Sequence, residues 1–463
     1  MRKRLMAWAG LTSLLLTGQA MAQGQPHTLQ EALAAAYSTN PTLLAARAAL
    51  RSVDEGVPAA LAGWRPTIVV SGSYGGAAGE FQQGNNTRKQ RNNREPLAAT
   101  ATITQPIYRG GRTEAQTHAA ENRVMSQRGR LIATEQLVFT NVITDFVNVI
   151  QTQQLLQLNI NNEQVLSRQL QATNDRFRVG EITRTDVAQA EAALANARAT
   201  RETAEGNVQT ARAAYQRDVG FLPEKLVEPQ PLAVPVKSSA EASRIAAANN
   251  PTLIYTMFDA AASKDAIDVA FSALLPSVSA TGTAFRQDNS TFNYSRTTGA
   301  QALLNVSVPI YQGGAEYAAV RQARQTEQQS RKTVDDTRRQ VIQAAVSSWE
   351  TLVAARATIQ STRAAIAANQ IALEGTQREA IVGSRTTLDV LNAAQALLQS
   401  RSTLVQNLSS LVTSSYSVAA AIGRLTARDL ALNVPLYDDT AYYVTVHDRL
   451  FGTGDYDLSQ GGR

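Results

Sequence analysis

Two pairs of residues share one spacing and could do chemistry: Thr183 with Asp186, and Thr386 with Asp389. In a Thr-x-x-Asp box at a helix start, the hydroxyl accepts from the backbone N–H three residues on, and the carboxylate reaches back to the threonine backbone. The aspartate also favours the positive helix end by ~0.3–1 kcal/mol. Beside a water-filled passage the same carboxylate would attract cations. Arg385 adjoins the second pair. Other chemistry is sparse. His27, His118 and His447 are scattered and form no HExxH or similar metal motif. Without cysteine there are no disulfides, thiolate metal sites or cysteine nucleophiles. Neither an enzyme nor a cofactor is expected.

The elements that must hold these pairs are long. No proline interrupts the chain between Pro106 and Pro223, or between Pro309 and Pro435. An interior proline costs a helix roughly 3 kcal/mol, so such spans suit uninterrupted helices. Leu131, Val138, Val142, Val149, Leu156 and Ile160 follow coiled-coil steps, as do Leu388, Leu391, Leu398, Val405, Leu408, Val412 and Tyr416. Val187, Ala190, Leu194 and Ala197 make a small-residue seam. A helix from Arg112 to about Phe177 would be ~100 Å long at ~1.5 Å per residue. Gly180 and Gly383 follow such helices where a left-handed cap is common, making them the predicted hairpin turns. The Thr-x-x-Asp boxes then open the returning helices.

The chain is internally duplicated. Asn40-Pro41-Thr42-Leu43 recurs as Asn250-Pro251-Thr252-Leu253, offset by 210. Pro106 to Gly111 matches Pro309 to Gly314, Val179-Gly180 matches Val382-Gly383, and Gly220 matches Gly423, all offset by 203. The net difference of seven residues falls between positions 66 and 106, marking an exposed loop. Residues 23–222 therefore form a first repeat and 238–425 a second, joined by a Pro-rich linker at 223–237, with a peripheral tail expected over 426–463. Each repeat reads as short helices, two strands and a long helical hairpin. The strands are expected at 66–81 and 96–108, then at 276–288 and 297–311, with alternating apolar and small or polar residues. Polar loops, Gln82 to Glu95 and Gln287 to Arg296, are expected at their tips. Gly110-Gly111 and Gly313-Gly314 are read as strand-to-helix joints, since no GxxxxGK[ST] follows either.

Residues 1–22 read as a signal peptide, with basic Arg2, Lys3 and Arg4, an apolar stretch from Leu5 to Leu16, and Ala20-Met21-Ala22 at the cleavage site. Losing it lowers the net charge from +6 to +3, which makes nucleic acid a poor partner. An exported chain with four half-apolar strands cannot close a barrel alone, because lipid leaves open edges unsatisfied and known single-chain barrels need about eight. Copies must pool their strands, and periodicity alone does not choose between two and three.

The layout resembles the TolC-like outer membrane efflux proteins. The motifs that carry the resemblance are Val308 to Gly314, Arg176 to Gly180 followed by Thr185-Asp186-Val187, and Val382 to Leu391. It implies an α+β membrane protein: a trimeric 12-stranded β-barrel, four strands per chain, continued by a long antiparallel α-helical coiled-coil tunnel. It also implies a homotrimer in the outer membrane lipid of a Gram-negative cell, working with a periplasmic adaptor (membrane fusion) protein and an inner-membrane ABC or proton-driven transporter. By resemblance, Thr185, Asp186 and Arg385 match a polar network that closes the periplasmic tip like an iris. Its aromatic partner is replaced by Ala380. Asp389 matches the first acid of an inner constriction, and Asn392 stands where a second can occur. The run from Gly180 to Val187 looks most like the branch linked to type I protein secretion, beside small-molecule efflux.

A reading of a different class is a periplasmic adaptor or structural coiled-coil protein with no channel of its own. The duplicated strand–strand–helix–helix order favours the duct. The basic stretch Arg88, Lys89, Arg91 and Arg94 reads as a solvated hairpin tip, with phosphates at the outer surface as the functional alternative.

Overall fold

The computed structural model describes residues 26–81 and 90–454. The expected signal peptide, Arg88, Lys89, Asp455 and Asp457 lie outside them. The first repeat opens with α1 (Leu29–Thr39), α2 (Pro41–Asp54) and α3 (Gly56–Leu61). Strands β1 (Thr67–Tyr74), β2 (Ala77–Phe81), β3 (Gln90–Arg94) and β4 (Leu97–Arg109) follow, then α4 (Arg112–Arg178) and α5 (Arg184–Val219). The second repeat has α6 (Ser239–Asn249), α7 (Pro251–Phe271), β5 (Ser277–Asp288), β6 (Arg296–Ser307), α8 (Ala315–Ile381) and α9 (Thr387–Ala421). A short α10 (Ala441–Val446) lies in the tail.

The main sheet is antiparallel throughout, in the order β1-β4-β5-β6, so β1 and β6 are its edges. One row across it runs Val70, Ala101, Ala284, Ala300, and the next row, on the opposite face, runs Val69, Thr102, Thr283, Gln301. One face is thus apolar and the other rich in threonine and serine. Two strand expectations change. The run over 66–81 is broken at Gly75-Gly76, and β2 pairs with β3 as a separate hairpin, so part of the predicted loop Gln82 to Glu95 is strand. Its Asn and Arg residues carry no apolar alternation, the signal that marks a half-buried strand. The last strand ends at Ser307, not 311. Pro309 has no N–H for a ladder, and β6 is an edge with one neighbour; β4 absorbs Pro106 at a bulge because β5 holds it on both sides of the irregularity.

The repeated Asn-Pro-Thr-Leu motif acquires a structural reason. Asn40 Oδ1 accepts from the N–H groups of Thr42 and Leu43, while its Nδ2 donates to the Asp218 carbonyl at 2.9 Å. Asn250 does the same, accepting from Thr252 N–H and donating to the Ala421 carbonyl at 3.0 Å. Each asparagine caps one helix and fastens it to the far end of the returning one, beside Gly220 or Gly423. The principal core lies here: Leu33, Leu43, Leu50, Phe139, Phe146 and Tyr215 are fully buried. Tyr37 packs against Phe139 and Phe146 against Tyr215, each with ring centroids 6.2 Å apart.

The tail expected to be peripheral is packed into this core as far as it is described. Ala427 and Leu432 join the buried cluster, Tyr437 N–H donates to the Tyr37 hydroxyl at 3.0 Å, and Arg47 lies between the Tyr37 and Tyr437 rings. Scattered apolar residues between the tail's aspartates give no period, so the sequence pattern carries no sign of this burial.

Candidate functional site at the helical tips

At the first tip, α4 runs to Arg178 and Gly180 turns the chain at φ +82°. Gly180 N–H donates to the Phe177 carbonyl at 2.9 Å and Glu181 N–H to the Arg176 carbonyl at 3.0 Å. Thr183 then caps α5. Asp186 Oδ2 accepts from the Thr183 N–H at 3.0 Å and from its hydroxyl at 2.7 Å, while Thr183 Oγ1 accepts from Asp186 N–H. At the second tip Gly383 turns at φ +81°, and Asp389 Oδ2 accepts from Thr386 N–H at 3.0 Å and its hydroxyl at 2.8 Å. Both aspartates complete reciprocal capping boxes. Hydrogen bonds to the charged form hold both carboxyls below the usual range: the Thr183 hydroxyl leads for Asp186, the Thr386 backbone N–H for Asp389. Each tip therefore carries a fixed negative charge at neutral pH.

The other candidates fall nearby. Thr185 is exposed in the first turn of α5. Arg385 Nε donates to Glu379 Oε2 at 3.0 Å, within its own hairpin. Ala380 is buried at the end of α8. Asn392, three residues beyond Asp389, lines a groove of about 490 Å³ between α4, α5 and α9, with Asn159, Asn196, Gln395 and Leu388. Within one chain, then, Asp186 and Arg385 are engaged inside separate hairpins. At the strand-to-helix joints, Gly110 and Gly111 have φ of +63° and +77°, Gly313 and Gly314 of +71° and +85°. Gly110 is also tightly packed: a Cβ there would lie 2.8 Å from the Ser272 carbonyl.

One feature escaped the sequence reading. Arg176 Nε donates to Glu181 Oε2 at 3.0 Å, the same bond with opposite polarity to that between Arg385 and Glu379. Arg176 and Glu379 occupy equivalent repeat positions, offset by 203, so the charge exchange was visible in the alignment of the halves. Its partner residues shift by one position, which hid the pairing.

The sequence profile of the outer membrane efflux proteins matches residues 30–220 and 242–424, the two repeats. The chain is similar to the outer membrane efflux protein BepC of Brucella suis, 35% identical over 456 residues, covering 97% of this chain and 96% of the relative. It is 24% identical to the outer membrane protein TolC of Vibrio cholerae, over 85% of this chain and 90% of that one. The Campylobacter jejuni CmeC outer membrane channel has the same fold, with a TM-score of 0.75 at 16% identity, covering 85% of each chain. The chain belongs to the outer membrane efflux protein family. It is an export duct of the outer membrane, with its helical hairpins in the periplasm, and the adaptor reading is not favoured.

Proposed function

We propose that three copies of this chain close one 12-stranded barrel and continue it as a coiled-coil tunnel. This homotrimer is the exit duct of an assembly with a periplasmic adaptor and an inner-membrane ABC or proton-driven transporter. The pump supplies the energy, and the cargo is small molecules, secreted protein or both. The observation that carries this reading is the unclosed sheet. It ends in β1 and β6, and its apolar face leaves Ile68, Val70, Leu304 and Val306 between 61% and 76% exposed. Such a face suits lipid, and lipid requires the edges to close on neighbouring copies.

At the tips, Thr185, Asp186 and Arg385 act as gate residues, and Asp389 lines the narrowest ring. With Asn392 neutral, that ring carries one carboxylate per chain, so its pull on cations is weaker than that of a ring with two. Particle mass after detergent extraction tests the assembly: three chains per particle is expected, and a monomer stable without detergent would contradict it.

A further inference from the structure

Two arginines stand on the apolar face of the sheet. Along β5 that face runs Val278, Ala280, Gly282, Ala284, Arg286 and Asp288; along β6, paired with it, run Val306, Leu304, Ala302, Ala300, Thr298 and Arg296. Arg286 and Arg296 come at the end farthest from the helices. From Val306 to Arg296 is ~33 Å of strand, which a tilt of ~40° reduces to ~25 Å, the height of the apolar band of an outer-membrane barrel. If Val306 marks the inner border, Arg296 sits at the outer one, where an outward-facing arginine is nearly free of cost.

The local charge is unbalanced. Arg286 Nε donates to Asp288 Oδ2 at 3.0 Å and Arg296 Nε to Asp288 Oδ1 at 2.7 Å. One carboxylate thus serves two guanidiniums whose side chains remain 51% and 65% exposed. The loop above is braced, with Asn289 Nδ2 donating to the Glu95 carbonyl at 3.1 Å and Asn293 Nδ2 to the Asn93 carbonyl at 3.0 Å. The two arginines are therefore held at a fixed height, Arg286 next above Ala284 on β5 and Arg296 above Thr298 and Ala300 on β6.

We propose that Arg286 and Arg296 bind a phosphate-bearing lipid headgroup of the outer leaflet, one site per chain. The inference rests on the closed-barrel reading above. A guanidinium fork matches phosphate bidentately, and two forks on one net positive charge complement a phosphate monoester. The apolar rows immediately below receive the acyl chains, which a free ion does not have.

The test mixes the detergent-purified protein with micelles of bisphosphorylated lipid A and reads bound lipid by native mass spectrometry. Replacing Arg286→Gln and Arg296→Gln together is expected to weaken retention by about fivefold per arginine. Asp288→Asn, which adds net positive charge, is expected to strengthen it, and dephosphorylated lipid A to bind wild type no better than it binds the double variant. Equal retention by wild type and double variant overturns the proposal, as does weaker retention by Asp288→Asn or displacement of lipid A by millimolar inorganic phosphate. The wild-type preparation is also recorded in a bilayer. A conducting trimer whose retention ignores these substitutions overturns this site alone, whereas a non-conducting preparation removes the barrel and the site with it.

Discussion

Helices α4 and α8 are each 67 residues long and occupy equivalent places in the two repeats, yet 18 residues of α4 are buried within the chain and only 8 of α8. In α4 the buried set includes Phe139, Phe146, Val142 and Val149. In α8 it includes Val341, Ala345 and Leu352, while Val353 and Ile371 stay exposed. The equivalent of Phe146, offset by 203, is Trp349, which is only half-buried against the smaller second core. One plan thus serves two purposes. The first repeat, covered by α1, α2 and the tail, is the stable body of the chain, and the second leaves a helical face open for the neighbouring copies of the proposed trimer.

The sharpest way to break that contrast is to empty the two cores separately. Phe146→Ala is expected to cost ~3–5 kcal/mol of stability, as for a fully buried aromatic ring. Trp349→Ala is expected to cost less, read by denaturant unfolding in detergent; equal losses would place comparable cores in both halves. Next come the two cap glycines. Gly423 has φ +78°, and a Cβ there would overlap the Asn249 carbonyl; Gly220 has φ +90° with nothing nearer than Thr39 Oγ1 at 3.7 Å. Gly423→Ala should therefore add an overpacking cost of ~1–3 kcal/mol to the ~1–2 kcal/mol of left-handed strain that Gly220→Ala alone incurs. Equal shifts in melting temperature would deny the close approach.

A third contrast is in pH. Asp54 and Asp145, both in the first repeat, are pushed up to about 6, chiefly by burial; the hydrogen bond to Asp218 adds to the shift at Asp145. Both Asp54 carboxylate oxygens are buried without a hydrogen-bond partner, with Arg128 the leading opposing charge. The folded state therefore binds more protons than the unfolded one between about pH 4 and 6. This contribution to stability is full below that window and is lost as pH rises through about 6. Lys264 and Ser348 hold the equivalent positions in the second repeat, so the effect belongs to the first. Asp54→Asn should flatten the dependence of the unfolding midpoint on pH, and an unchanged slope would remove Asp54 from the account.

Much of this was legible in the sequence, for identifiable reasons. The repeats, the absence of proline and the coiled-coil steps placed the first long helix within a residue or two and bracketed the second between Gly314 and Gly383, because a helix of that length needs a sustained period and tolerates no breaker. The capping boxes were legible because a cap is a local contact between residues three apart. The β2–β3 hairpin was not, since β3 is built of Gln, Asn and Arg and carries no alternating pattern. Burial of the tail and of Asp54 was also hidden, because both depend on elements distant in sequence: Tyr437 meets Tyr37, and Arg128, whose charge opposes the shift at Asp54, lies 3.9 Å from Asp439. At the tips, the caps were readable, but the arginine–glutamate pairs within each hairpin were not.

The smallest structural effects are expected at those tips, where the readout is current. Arg385→Ser releases Glu379 and is expected to raise conductance more than Arg176→Ser, which releases Glu181. Equal responses would make the two reversed pairs interchangeable and remove Arg385 from the gate. Asp389→Ala is expected to weaken cation preference, and unchanged selectivity would take Asp389 out of the pore lining.

In the proposed assembly, copies of this chain share one barrel whose tunnel narrows at acidic tips. The most direct measurement is single-channel recording of the detergent-purified protein in a planar bilayer, with particle mass taken on the same sample. A trimer giving small, cation-preferring steps is predicted; a soluble particle that never conducts would contradict it.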